Sequence, residues 1–400
     1  MWRLMSEVEQ ASPLDAVEVM ARGFARAWQA DSVSFLIADY GGDHLARLVR
    51  TGTGRRDRGD ATEVVPIQDT PQGHVLRTQQ PMLLSDAAGS WVCVPVSSRG
   101  ETIGVLEVGL PTAPAAGAMD EICAAAHVLA YIVVTNRRYT DLSEWGQRTE
   151  HFDLAAEIQR RLLPPSFTCE AAQFTVAGWL EPARSAAGDT FDYVLDRDHV
   201  HASLTDAMGH EVPAAQLATL AVAALRQSRR RGATLLEQAH DANAALAANG
   251  REDQFVTGLL LRAELATGRA QVVNAGHPAP YLLRDGAVEA LPFDPDPPFG
   301  MFGDSTYRVH DLRLLPGDRL LLVTDGMIER NAARLDIPAE LVATPDLHAR
   351  ETVQHLIRRV ALHGDLQDDA TVLCLDWHGH QHTLRDAVTG SDPAQASPAG

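Results

Sequence analysis

Four acidic motifs follow one another through the second half of the chain: Ala187-Gly188-Asp189, Asp206-Ala207-Met208-Gly209-His210, Thr324-Asp325-Gly326-Met327-Ile328-Glu329 and Asp368-Asp369-Ala370-Thr371. Each carries an aspartate to the edge of a stretch that reads as a β-strand, where a sheet hands its chain to a loop and carboxylates can converge. Carboxylate oxygens are hard donors, suited to Mg²⁺ or Mn²⁺ rather than to zinc. Taken singly, Asp-Gly and Asp-Asp are ordinary turn formers. Taken together they point to metal-assisted hydrolysis.

The flanking pattern supports that reading. Leu314-Leu-Pro-Gly-Asp318 is a tight turn, Arg319 to Val323 an apolar run, and Asp325 an acidic tip; Gln271 to Pro280 ends a strand on the polar cluster Asn274-Ala275-Gly276-His277. Strand patterns occupy 174–180, 191–195, 200–204, 255–263, 270–274, 281–284, 320–323 and 371–375, with helices expected at 212–228, 234–249 and 350–363. Strands in clusters with helices between them indicate an α+β fold of two sheets with flanking helices.

Over residues 150–378 these motifs, in this order, resemble the metal-dependent PPM-type serine/threonine phosphatases, specifically the SpoIIE/RsbU-like branch. The resemblance implies an α-β-β-α sandwich and a site for two Mn²⁺ or Mg²⁺ ions. In it Asp206 would bridge the metals, Asp325 and Asp368 would complete one site, and Asp189 with the main-chain carbonyl of Ala207 would hold the other. Asp192, Asp369, Asn274 and His277 would lie just outside the ligands; Arg184, five residues before Asp189, reads either as an exposed loop arginine or as a contact for the substrate phosphate. Two departures stand out: Ala187 replaces the usual first glycine before Asp189, and Ala207 and Glu211 replace a valine-like residue and a final glycine around Asp206. Neither removes a ligand. The resemblance also implies a phosphorylated STAS-type protein as substrate, in partner-switching control of a sigma factor.

Residues 10–135 alternate helix-like and strand-like patterns, and Trp91 to Val108 reads as a hairpin turning at Arg99-Gly100. This section is similar to a GAF sensor domain, which implies a pocket for an unknown small ligand or signal. His44, His74 and His127 are separate and read as surface or hydrogen-bonded residues rather than ligands. From Met119 to Leu163 the chain reads as long helix, with Leu142, Trp145, Thr149, Phe152, Ala156, Gln159 and Leu163 near heptad spacing, interrupted by Gly146 and the polar members. Its end, Ala155 to Pro165, resembles the segment that precedes the catalytic domain in RsbU-like phosphatases. The expected organisation is therefore a sensor at 10–135, a connecting coiled-coil-like helix at 136–165 that favours a homodimer, a catalytic domain at 166–378 and a disordered Ala/Ser/Pro/Gly-rich tail at 379–400.

Composition narrows the classes further. Four hundred residues at 45% hydrophobic content exceed one ordinary core. A net charge of −19 opposes nucleic-acid binding. Arg226 to Arg231, the one basic cluster, ends a helical pattern and reads as a solvated helix terminus. No apolar run approaches the ~18 residues of a membrane span, and the four cysteines lack paired spacing. These features predict a cytoplasmic protein. The competing readings are a catalytically silent signalling scaffold, which has no chemical reason to keep four ligand carboxylates, and a phosphatase for small phosphoesters.

Overall fold

The computed structural model describes residues 2–51, 63–86, 89–115, 117–148, 152–183, 188–251, 253–328, 335–362, 364, 366–379, 384–385, 387 and 389–398. The chain divides into two compact units, Met1–His151 with Asp386–Gly400, and Phe152–Arg385.

The first unit runs α1 (Trp2–Gln10), α2 (Ala16–Trp28), β1 (Ser32–Ala38), β2 (His44–Thr51), β3 (Val64–Pro66), α3 (Pro71–Thr78), β4 (Met82–Asp86), β5 (Gly89–Ser98), β6 (Glu101–Leu110), α4 (Ala118–Asn136) and α5 (Leu142–Gln147). Its six strands form one sheet in the order β3-β2-β1-β6-β5-β4. The expected hairpin is β5–β6, with Ser98 paired to Glu101 across Arg99 and Gly100, at φ 55° and 78°. Two consecutive positive φ values define the turn whose twist matches that of the flanking strands. One sheet face packs Phe35, Val94 and Leu106 against α2 and α4; the other packs Leu36, Cys93 and Val105 against Val75 of α3.

The segment from 119 to 163 is not one helix. Helix α4 ends at Asn136, α5 is a separate six-residue helix, and the next helix starts at Leu154. Gly146, inside α5, lets that helix approach the sheet closely: a Cβ there would lie 2.5 Å from Leu48 and 2.8 Å from Ile37, and the neighbouring Trp145 is left exposed. A heptad seam through these residues is therefore discontinuous. Helix α4 is also long and apolar enough to span a membrane by length and composition, contrary to the sequence reading, yet Ile122, Ala126, Leu129 and Val133 are buried in the first unit's core.

The second unit runs α6 (Leu154–Leu162), β7 (Thr168–Glu170), β8 (Phe174–Glu181), β9 (Asp189–Leu195), β10 (His199–Ala207), α7 (Glu211–Arg230), α8 (Leu235–Asn249), β11 (Val256–Glu264), β12 (Arg269–Ala275), β13 (Tyr281–Arg284), β14 (Ala287–Ala290), β15 (His310–Arg313), β16 (Arg319–Val323), a 3₁₀ turn (Asp325–Met327), α9 (Ile337–Ala343), α10 (Ala349–Ala361) and β17 (Ala370–Trp377). It is an α+β sandwich. A five-stranded sheet, β15-β12-β11-β10-β9, faces a six-stranded one, β14-β13-β16-β17-β8-β7, and both are antiparallel between neighbours. Between them Phe174, Phe191, Leu204, Leu261, Leu320, Leu373 and Trp377 form the core. Outside, α7 and α8 cover the first sheet through Ala218, Ala221 and Leu246, and α9 and α10 cover the second through Leu341, Val353 and Leu356. Period-two alternation puts each strand's apolar residues on both faces, which is why the central strands read as continuous apolar runs.

The carboxy-terminal segment read as a disordered tail carries contacts in its described residues. Arg385 pairs with the buried Glu170, the Gly100 N–H donates to the Gly390 carbonyl at 2.8 Å, and Ser391 and Ser397 are buried. Its composition hides this because the contacts use main chain and one charge rather than apolar side chains.

Buried histidine sets an acid limit on this fold. His348 donates from Nε2 to Glu170 at 3.1 Å and accepts from the Arg350 N–H at Nδ1, and burial, with the Arg350 charge, pushes its pKa down to about 4. Because the folded pKa lies below the unfolded value of about 6.5, its contribution is fully present above that value and is lost as pH falls toward 4. Between pH 8 and 5 we expect His348 to account for about 2 kcal/mol of lost stability. Denaturant unfolding across that range should show a shallower pH slope in His348→Gln than in the wild type; an unchanged slope refutes the assignment.

Candidate metal centre

The two sheets of the second unit bring their acidic ends together. Asp189 opens β9 and faces Asp206, near the end of β10, as its cross-strand partner. The next rung is tied by the Thr190 and Thr205 hydroxyls at 2.6 Å. From the other sheet, β16 ends one residue before Thr324 and Asp325, and Asp368-Asp369 immediately precede β17. Two glycines let the strand ends approach. A Cβ on Gly188 would lie 2.4 Å from the Ala207 carbonyl oxygen, and one on Gly326 would lie 2.0 Å from that of Asp369. No larger residue fits either place without moving backbone.

Asp189 is only 2% exposed. Its Oδ2 accepts from the Thr324 hydroxyl at 2.7 Å and the Thr371 hydroxyl at 2.6 Å, so a carboxylate of one sheet is fastened to two strand ends of the other. The Thr371 N–H in turn donates to Thr324 Oγ1 at 3.0 Å. Burial, followed by the charges of Asp206 and Asp369, raises the Asp189 pKa well above the carboxylate range, against the threonine hydrogen bonds that lower it. Asp369 is as buried: Oδ2 accepts from Gln159 Nε2 at 2.5 Å, Oδ1 accepts from the Ala183 N–H at 2.9 Å, and burial pushes its pKa up to about 6. Asp206 and Asp325 are half-buried and Asp368 is exposed.

Strand geometry separates the sequence-predicted residues into groups. Asp189, Asp206, Asp325, Asp368 and the Ala207 main chain all lie at this end of the sandwich. Asp192 does not share their face. Three residues past Asp189 on a strand, it points to the opposite side, where Arg226 grips it through Nε at 3.1 Å and Nη2 at 3.0 Å, and Arg229 at 3.2 Å. That pairing also corrects the reading of Arg226 to Arg231 as merely solvated. Asn274 and His277 support a loop: Asn274 Oδ1 accepts from the His277 N–H at 2.8 Å, Asn274 Nδ2 donates to the His277 carbonyl at 3.0 Å, and His277 Nδ1 meets the Thr257 hydroxyl at 2.9 Å, opposite Asp206 in β11. Burial holds the His277 pKa down at about 3, a neutral ring unsuited to accepting a proton near neutrality. Arg184, Ala187 and Glu329 lie outside the described residues.

Sequence reasoning did not single out Thr324, Thr371 or Gln159 as site residues. The two threonines stand inside motifs already quoted, each beside an aspartate, and a hydroxyl at a buried strand end is the signal that could have found them. Gln159 sits in a helix where heptad spacing made it an imperfect seam residue.

The donor set fits divalent cations. Among the described residues the candidate donors are the carboxylates of Asp189, Asp206, Asp325 and Asp368 and the hydroxyls of Thr324 and Thr371, all oxygen groups, and Asp189 lies among negative charge that a cation would relieve. Among the described residues no three His, Cys, Asp or Glu side chains converge closely enough to enclose an ion by themselves. Mg²⁺ and its like keep several waters and take only one or two carboxylates each, so a full protein cage is not required.

Residues 196–378 match the family model for Stage II sporulation protein E (SpoIIE). The chain is 26% identical over 187 residues to the phosphoserine phosphatase RsbP of Bacillus subtilis (strain 168), covering 45% of this chain and 46% of that protein. It is 23% identical over 179 residues to the phosphoserine phosphatase RsbU of the same organism, covering 44% and 53%. The match thus spans about half the length of these curated relatives. Among solved structures, the PP2C phosphatase domain with a regulatory fragment of SpoIIE from Bacillus subtilis is 18% identical, with a TM-score of 0.46, covering 52% of this chain and 65% of that one.

One backbone feature beside the site is directly testable. Glu211, which stands where the resembled family has glycine, begins α7 at φ 60°. A left-handed residue with a Cβ costs roughly 1–2 kcal/mol, partly offset in a glycine variant by chain entropy of about 0.5–1 kcal/mol. We expect Glu211→Gly to raise unfolding stability by about 0.5 kcal/mol, and Glu211→Gln, which removes only the charge, to leave it unchanged. Equal denaturation midpoints for the two variants would show that strain is not the cause.

Proposed function

We propose that this chain, which carries a SpoIIE-type domain of the PPM group over residues 196–378, is a metal-dependent protein serine/threonine phosphatase. The observation that supports the reading is the cross-strand pairing of Asp189 with Asp206, with Asp189 fastened by hydroxyls of Thr324 and Thr371, the neighbours of Asp325 and of the Asp368-Asp369 pair in the opposite sheet. Two Mn²⁺ or Mg²⁺ ions would supply an acidified water and charge compensation for the phosphoryl group. Asp206 would serve both ions, Asp325 and Asp368 would help to hold one, and Asp189 with the Ala207 carbonyl would help to hold the other. Thr324 and Thr371 keep Asp189 oriented, and neutral His277 braces the strand beside Asp206. Arg184 is proposed for the substrate phosphate, on the strength of its place five residues before Asp189.

The substrate proposed is a phosphoserine on a STAS-type protein in partner switching, in line with the naming of two relatives as phosphoserine phosphatases. We assign the first unit to a GAF-type sensor of an unidentified small ligand or signal, acting on the catalytic unit in a cytoplasmic homodimer, with no nucleic-acid or membrane partner. A sensor can act only by stabilising two arrangements of the site unequally.

Asp206→Asn is expected to abolish phosphate release from a phosphoserine STAS protein assayed with Mn²⁺, while the wild type loses activity in chelator. Removing the shared anion takes a ligand from both ions at once. Undiminished turnover by Asp206→Asn overturns the two-metal assignment; turnover of only a small phosphoester overturns the substrate class.

A further inference from the structure

Gln159 is 2% exposed, although it is a polar residue on the first helix of the second unit. Both hydrogens of its carboxamide are spent. Nε2 donates to the Asp189 main-chain carbonyl at 3.0 Å and to Asp369 Oδ2 at 2.5 Å. Asp189 belongs to the five-stranded sheet and Asp369 leads into the six-stranded one, so one amide group bridges the two sheets beneath the carboxylate cluster. The effect passes one step further, because the Asp369 N–H donates to Asp368 Oδ1 at 2.9 Å. Fixing Asp369 thereby fixes the orientation of Asp368, the exposed acid nearest the cluster.

The helix that delivers this amide is itself anchored. Asp153 Oδ1 caps α6 by accepting from the Ala156 N–H at 2.8 Å. Ala155 and Ile158 pack against Ala215 and Val212 of α7, and Arg226 Nη2 donates to the Leu162 carbonyl at 2.6 Å while holding Asp192. Thus α6 cannot leave its seat on α7 without withdrawing the donor from Asp189 and Asp369.

We propose that Gln159 is a positioning residue of the metal site: docked α6 sets the separation and orientation of the carboxylates of both sheets through this single amide, and so sets the affinity for the divalent cation. The proposal rests on the metal-site reading given above. Groups that orient metal ligands from behind typically matter by 10- to 100-fold in metal affinity.

The test is calorimetric titration of the full-length chain with Mn²⁺, alongside the Mn²⁺ dependence of turnover. Gln159→Leu, similar in size but without a donor, is expected to weaken Mn²⁺ binding about tenfold. The Mn²⁺ concentration at half-maximal turnover should rise by the same factor as the calorimetric constant while the far-UV circular dichroism spectrum in chelator stays that of the folded chain, a combination that a general loss of structure would not produce. Gln159→Glu, which sets a carboxylate against Asp369, should weaken binding at least as much and serves if the leucine variant fails to fold. In the Gln159→Leu/Asp369→Asn pair the losses should be less than additive, since one residue acts through the other. Wild-type affinity in both Gln159 variants, or strictly additive losses, overturns the proposal while leaving the metal site in place. A wild-type chain that takes up no Mn²⁺ overturns the metal reading and this proposal with it.

Discussion

Crowded negative charge at one end of a β-sandwich is the constraint around which the second unit is built. Asp189 is buried with Asp206 and Asp369 as electrostatic neighbours, and burial raises its pKa before those charges add to the effect. A buried carboxylate needs hydrogen-bond donors, a proton or a cation. Among the described residues Thr324 and Thr371 supply two hydroxyl donors. Such an arrangement lowers stability in isolation and favours occupation by a divalent ion.

Holding that charge in place uses the whole cross-section of the unit. The apolar layer between the sheets, from Phe174 and Phe191 to Leu373 and Trp377, keeps the strands in register so that β9–β10 and β16–β17 end at the same level. Gly188 and Gly326 then allow backbone to pass where a Cβ would collide with a carbonyl oxygen. Behind the strands, α7 does two jobs: Arg226 neutralises Asp192 on the far face of β9 and holds the end of α6. Two aspartates three residues apart on one strand thus meet different fates, one facing the charge cluster and the other an ion pair.

Glu211 and Gln159 mark where local preference yields to position. A glutamate at positive φ is strained, and it begins the helix that follows the Asp206 loop. A glutamine as buried as Gln159 would be costly without partners; here both amide hydrogens have them. Each is a local compromise located within a few residues of the carboxylates.

The chain's own sequence determined the donor chemistry and the class of fold. Acidic tips on apolar runs could be read directly, because period-two strands and Asp-rich strand ends are local patterns, and the helices expected at 212–228 and 234–249 stand at Glu211–Arg230 and Leu235–Asn249. The turn at Arg99-Gly100 was legible for the same reason. Tertiary structure alone decided the rest. A near-heptad run could not reveal that the first helix would end at Asn136 and that Gly146 of the short α5 would lie against Leu48 and Ile37, about a hundred residues away in the chain. Nor could spacing show that Asp192 turns to Arg226, that Thr324 and Thr371 grasp Asp189, or that Gln159 joins two sheets. Those partners are separated by 34, 135, 182 and up to 210 residues, and only packing of the completed sandwich brings a long-range donor within hydrogen-bonding distance of a buried acceptor.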